Sequence, residues 1–334
     1  MTRDAEPAAG TGTPASARAF RFGVGAPSAV SSRQELVEHA RFAESSGFSV
    51  ASFPDHFFLP LAPLVALMTV AEVTSRLRVG TLLLAAGFRH PALLAKELAT
   101  ADLLSDGRLE VGLGAGWMES EHLSAGLPFG TPAERLARLV EIAEILKLAW
   151  SSDRISYSGE HYGLHEVPSA PRPVQPGGPP LLMGGGMRRI ITASAKIADI
   201  VTIAPGPIGF GSASNGSHSL LLSERATWIR DALAASGRSP ELHMLLFGVV
   251  VCDDRYVGAR KCLDTMNLDS VVSSGRRQEE ERALLESPFF AIGTAREIAD
   301  QLRQTREEFG VSYFSVREAA AKEFVPIVES LAGT

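Results

Sequence analysis

The chain has 334 residues, of which 45% are hydrophobic and 21% charged. These values exclude a disordered, coiled-coil or fibrous chain and suit one large α/β barrel as well as two smaller domains. Thirty-two basic against 38 acidic residues give a net charge of -6. With no basic run present, that balance argues against a nucleic-acid surface and for small-molecule partners.

Residues 1–19 are rich in Ala, Gly, Thr, Ser and Pro with no apolar block, which reads as a flexible tail rather than a signal peptide. The longest apolar runs, such as Val79 to Ala86, are strand-sized, so no membrane span and a cytoplasmic location are expected. Cys252 and Cys262 are too few for a disulfide scaffold.

From Phe20 onward, short β-branched or Leu-rich runs alternate with stretches of helical periodicity. Eight strands are predicted, at Phe20–Val24, Ser49–Phe53, Leu77–Leu84, Leu109–Gly114, Pro180–Met183, Asp199–Ala204, His243–Val251 and Ser312–Val316. Helical patterns follow near 32–46, 61–75, 91–104, 132–150, 187–196, 223–236, 254–267 with 295–309, and 320–332. Ser32 with Glu35, Thr131 with Glu134, and Thr294 with Glu297 have capping-box spacing, and Gly47 and Gly310 stand where left-handed helix stops belong. Eight βα units without a linker predict a single (β/α)8 TIM barrel over 20–334. Two stretches interrupt the rhythm: an insertion at 151–179, rich in Gly, Pro, Ser and Tyr, and a glycine-rich run within 205–222. The second is a lid candidate, because loops that follow barrel strands build the active face.

Chemistry-bearing residues gather on those loops. Asp55 and His56 lie just past strand 2, followed by Phe57 and Phe58, which are placed to shield a proton-transferring imidazole. A loop histidine bonded to its own turn is the plainer reading. Arg89, past strand 3, is suited to a carboxylate or phosphate, or to a surface pair with Glu97 or Asp102. Gly112, Gly114 and Gly116, before Trp117, let a flat ring or phosphate approach the backbone, but the spacing is not the dinucleotide fingerprint. Gly184, Gly185 and Gly186 close strand 5 at a helix that opens near Met187. Free N–H groups there form an anion cradle, and Arg188 and Arg189 add charge where a purely structural helix prefers acids. Zinc spacings, a nucleophile elbow and a phosphate-loop Lys-Ser/Thr are all missing, so no metal is expected.

The block from Leu77–Leu84 through Arg89-His90-Pro91, Leu104–Leu109 and Gly112–Trp117, with Glu121 after it, resembles the luciferase-like monooxygenase superfamily. The resemblance runs from Phe20 to about Gly333 and takes in Asp55-His56, Pro173–Pro176, Gly184–Gly186, Ala198–Val201 and Ile292–Thr294. Within that superfamily the chain is most similar to the coenzyme F420-dependent branch.

The resemblance implies a barrel holding reduced F420, or FMN in the alternative, across its C-terminal mouth. Leu82 and Leu83 would back the ring near a non-prolyl cis peptide, Gly114 would lie beside it, and Gly184–Met187 would hold the phosphate. His56, with Asp55, would handle the proton, and Phe57, Trp117 and Arg89 would line the substrate pocket. Trp117 departs from the pattern, since some F420 members carry a glutamate proton donor there. The implied function is F420-dependent hydride transfer to a small organic substrate. The alternative is an FMNH2-dependent, oxygen-using monooxygenase fed by a reductase, and a barrel without cofactor is the non-enzymatic reading. A homodimer is expected from the family alone.

Overall fold

The computed structural model describes residues 18–204, 218–234, 237–265 and 277–334. The predicted tail lies outside the described residues except for its last two positions, and most of the lid segment, 205–217, lies outside them as well.

In chain order the first half comprises β1 (Arg21–Gly25), α1 (Arg33–Ser45), β2 (Val50–Phe53), α2 (Pro63–Val73), β3 (Arg78–Thr81), β4 (Leu84–Ala85), α3 (Pro91–Leu104), β5 (Leu109–Gly114), α4 (Glu119–Ser124) and α5 (Pro132–Ser151). There follow β6 (Arg154–Ser158), β7 (Gly163–Pro168), β8 (Leu181–Gly185), α6 (Arg188–Ile197), β9 (Ile200–Ile203), α7 (His218–Ala234), β10 (Glu241–Leu246) and β11 (Gly248–Val251). The chain continues through α8 (Arg255–Thr265), α9 (Arg277–Glu286), β12 (Phe290–Gly293), α10 (Ala295–Phe309), β13 (Val311–Val316) and α11 (Ala321–Leu331).

Eight parallel staves close on themselves as a (β/α)8 barrel. Around the ring, β1 pairs with β2, β2 with β3, and β3 and β4 together form the third stave against β5. From β5 the order continues through β8, β9, β10 and β13, which returns to β1. Strands covered by helices outside and side chains inside should be apolar throughout, and β2, β5, β9 and β13 are buried at every position.

The local signals that shaped the expectation are present. Thr131 with Glu134 and Thr294 with Glu297 form reciprocal capping boxes. Ser32 accepts the Glu35 N–H, but the Glu35 carboxylate turns to Ser31 instead, so that box is half made. Gly310 stops α10 in the left-handed conformation, φ 78°.

Three expectations need correction. The predicted strand His243–Val251 is two strands, β10 in the barrel and β11 outside it, where β11 pairs with β12, a four-residue strand the pattern did not reveal. The 151–179 stretch is not wholly loop, because β6 and β7 form an antiparallel hairpin. The helix expected near 223 begins at His218, inside the predicted lid.

The barrel floor is closed by charge. At the strand starts, Arg21 pairs with Glu241 (2.6 Å) and Glu110 (2.6 Å), and Arg78 pairs with the same Glu110 oxygen (2.7 Å). Above them His243 is fully buried, its ring nitrogens 2.8 Å from the Thr202 hydroxyl and 2.9 Å from the Ser315 hydroxyl. Burial, with Arg21 nearby, lowers the His243 pKa to about 3, so its ring is neutral at pH 7. Tyr313 lies against it, ring centres 4.4 Å apart, beneath the Arg21 guanidinium. The open end of this barrel is therefore its C-terminal mouth.

Candidate active site

Every sequence-derived site residue lies at or just beyond a strand's C-terminal end. Past β2, Asp55 is buried and receives both terminal nitrogens of Arg89, at 2.5 and 3.0 Å, together with the Ala85 N–H at 3.0 Å. One carboxylate thus ties the loop after β2 to the end of the third stave. Arg89 is engaged by Asp55, not by Glu97 or Asp102. Asp102 is instead fully buried and accepts the N–H groups of Val174 and Gln175 and the Gln175 side-chain amide.

His56 is a fifth exposed, and its Nδ1 stands 2.7 Å from Glu121 Oε2. The other oxygen of Glu121 takes the Phe57 N–H at 2.6 Å. A carboxylate only accepts, so Nδ1 carries the hydrogen and Nε2 is left for other chemistry. Phe58 stacks on the imidazole at 4.8 Å, and Trp117 meets it edge-on at 5.9 Å. Phe57 does not shield His56; its ring leans on Phe88, 4.9 Å away.

Glu121 is the site residue that the sequence alone did not single out. It sits on the short helix α4, and its neighbour His122 anchors that helix from within. His122 is buried between Phe88 (4.7 Å) and Phe129 (5.0 Å), with Nδ1 donating to the Met118 carbonyl at 3.2 Å. The sequence signal was there in the acid following the Gly112–Trp117 run, but nothing local connects it to a histidine 65 positions earlier.

The third stave breaks between β3 and β4, and the Leu82–Leu83 peptide in that break is cis. Both leucines are partly exposed and pack on a cluster of Val50, Leu182, Ile200 and Tyr313 that is separate from the main core. Across from them, a Cβ on Gly114 would come within 3.1 Å of the Leu83 side chain. At the end of β8, a Cβ on Gly184 would lie 1.9 Å from the Thr202 carbonyl oxygen, so only glycine permits that strand approach. Gly186 has its carbonyl held by Arg225 of α7 at 3.1 Å. Helix α6 then starts at Arg188 with Met187 as its cap residue. It has no side-chain cap and no acid in its first turn, and Arg188 and Arg189 are exposed. Its first N–H groups face the mouth with the positive end of the helix dipole behind them.

Among the described residues, no helix is long and apolar enough to cross a membrane, and no three metal-ligating side chains cluster.

The comparisons agree with this fold. A solved coenzyme F420-dependent tetrahydromethanopterin reductase from Methanopyrus kandleri superposes with TM-score 0.74 at 18% identity, over 94% of this chain and 99% of that one. A monooxygenase from Streptomyces bottropensis does so with TM-score 0.73 at 22% identity, over 93% and 97%. These two share the fold. In sequence, an uncharacterized protein of Mycobacterium tuberculosis is 30% identical over 222 residues, 60% of this chain and 73% of that protein. An F420-dependent glucose-6-phosphate dehydrogenase of Amycolatopsis mediterranei is 37% identical over 152 residues, 43% of this chain and less than half (45%) of that enzyme. The family described as luciferase-like monooxygenase matches residues 18–313. An eight-stave barrel with a glycine-lined mouth, matched along nearly its whole length, places the chain in the luciferase-like monooxygenase family of oxidoreductases.

Proposed function

We propose that this enzyme is an F420-dependent oxidoreductase that transfers a hydride between reduced deazaflavin and a small organic substrate, with His56 as the proton carrier. The observation that carries the reading is the His56–Glu121 pair: an imidazole with Nδ1–H committed to a carboxylate at 2.7 Å and Nε2 unspent at the barrel mouth. The matched segment of F420-dependent glucose-6-phosphate dehydrogenase supports the choice of cofactor.

The residues present fit such a group. Glycine at 114 lets the partly exposed Leu83 lie close against β5, leaving that leucine to back a flat ring, and an uncapped helix start with Arg188 and Arg189 suits a phosphate. Leu82, Leu83 and Gly114 would back the ring, and the amides of Gly185, Gly186 and Met187 would receive the phosphate. When bound, F420 supplies a two-electron hydride donor or acceptor.

The remaining work falls to the side chains of this chain. Glu121 holds the ring of His56 in one tautomer and one orientation. Neutral His56 accepts a proton at Nε2 when a substrate hydroxyl is oxidised, and protonated His56 returns it from Nε2 when a carbonyl is reduced. Asp55 acts at one remove, by fixing Arg89 and the Ala85 amide and so the third stave's end.

Reduced FMN is the proper comparator, because the same glycine turn and helix start would receive its phosphate. Fluorescence titration with reduced F420 and with reduced FMN is expected to give tight binding of the first only, unchanged in His56→Ala. Turnover in that variant should fall at least a hundredfold. Binding of FMN in preference to F420 would transfer the reading to the oxygen-using monooxygenase, and an undiminished rate would remove His56 from the reaction.

A further inference from the structure

Resting on that reading of the site, we infer that its substrate is a flat, weakly polar compound of the aryl or conjugated ketone class, and not a polyhydroxylated or multiply charged one.

The argument begins with what surrounds Nε2. His56 is flanked on one ring face by Phe58 and on its edge by Trp117. These aromatic neighbours are 64% and 70% exposed, and Phe57 beside them is 62% exposed. Large aromatic side chains left this open beside a barrel mouth are binding surface awaiting a ligand face. A molecule that reaches Nε2 from the mouth meets those rings on the way, and a flat apolar face is what they complement.

The polar groups point the same way. Both oxygens of Asp55 accept from Arg89, and both terminal nitrogens of Arg89 are spent on Asp55. Both oxygens of Glu121 are engaged, one by His56 and one by the Phe57 amide. Among these first neighbours, the hydrogen-bonding atoms left without a partner are Nε2 of His56, the indole N–H of Trp117 and the Nε–H of Arg89. They are few, and Nε2 supplies the handle for a carbonyl or hydroxyl oxygen. A sugar phosphate brought against this surface would surrender water from several hydroxyls and a dianion with few groups to replace it.

Calorimetric titration of the full chain with acetophenone, and separately with glucose 6-phosphate, tests this. Acetophenone is planar, has one carbonyl and is unreactive toward cysteine and lysine. It is expected to bind, with Phe58→Ala and Trp117→Ala each weakening it at least tenfold, while glucose 6-phosphate gives no heat of binding. Both side chains are exposed, so thermal unfolding of the variants should match the parent and exclude misfolding as the cause. Acetophenone binding that survives both substitutions, or stronger binding of glucose 6-phosphate, overturns the inference. The F420 titration is run on the same samples. F420 bound without acetophenone sinks this substrate class alone, whereas acetophenone bound without F420 sinks the cofactor reading and leaves the aromatic subsite standing.

Discussion

At Glu121, one carboxylate sets the state of the imidazole beside it. Replacement by Gln keeps the size but offers one acceptor oxygen where two were used, and places an NH2 against either the Phe57 amide or Nδ1. Glu121→Gln is therefore expected to lower kcat by about a hundredfold, the scale of a displaced acid–base group, with KM and F420 affinity unchanged. Nitrogen-15 chemical shifts of His56 should move from the Nδ1-protonated pattern toward a mixture of tautomers. If kcat falls with no change in those shifts, Glu121 acts otherwise than through His56. The pairing was hard to read in sequence because each partner, taken alone, is an ordinary loop or helix residue. Asp55 and Arg89 illustrate the same point: each was a candidate, but their bond arises only because neighbouring staves bring their following loops together.

At the scale of elements, the local signals governed helix ends well because caps act within one turn. Gly310 holds φ 78° to stop α10 and release β13 into the barrel. Gly310→Ala is expected to destabilise the fold by about 1 kcal/mol, the steric cost of a left-handed residue bearing a Cβ. The measurement is a lowered midpoint in urea with the same slope; an unchanged midpoint would show that the end of α10 tolerates another conformation. Strand identity was less legible. The run from His243 to Val251 is continuous in apolar character, but the chain leaves the barrel near Phe247, since a second partner, β12, is available from 40 residues on. The hairpin β6–β7 escaped notice because its strands are short and largely exposed, and the alternation of Ile155 and Tyr157 in β6 spans only five residues of a Gly-, Pro- and Ser-rich stretch. It is held from outside by Glu141 of α5, whose buried carboxylate accepts the N–H groups of Glu160, His161 and Tyr162.

At the scale of the whole molecule, the barrel carries a polar floor whose charge state depends on pH. His243 has a pKa lowered to about 3 in the folded chain against an ordinary value of 6.5, because burial penalises its charged form. Between those values the unfolded chain binds the proton and the folded chain does not, so stability rises with pH. The contribution is complete above about 6.5 and is lost as pH falls toward 3, with a slope of up to about 1.4 kcal/mol per pH unit. His243→Gln retains a donor and an acceptor for Thr202 and Ser315 but cannot titrate, so its stability should fall less steeply from pH 6.5 to 4.5. Parallel pH curves for the two proteins, from urea unfolding, would place the acid sensitivity elsewhere. The same floor closes the strand starts through Arg21, Arg78, Glu110 and Glu241, which is why the chemistry gathers at the other end.

The amino-acid order by itself determined the eight βα repeats, their caps and the placement of Asp55, His56, Trp117 and Gly184–Gly186 after strands. Those features depend on periodicity, turn residues and backbone conformation, whose energies are settled within a few neighbouring residues. Ring closure, the bonding of His56 to Glu121 and of Asp55 to Arg89, and the neutral His243 among Thr202 and Ser315 belong to the tertiary structure alone. The side-chain pairs join groups 34 to 72 residues apart and ring closure pairs β1 with β13 at opposite ends of the chain, and such contacts form only when packing eight staves into a barrel repays the entropy of bringing distant segments together.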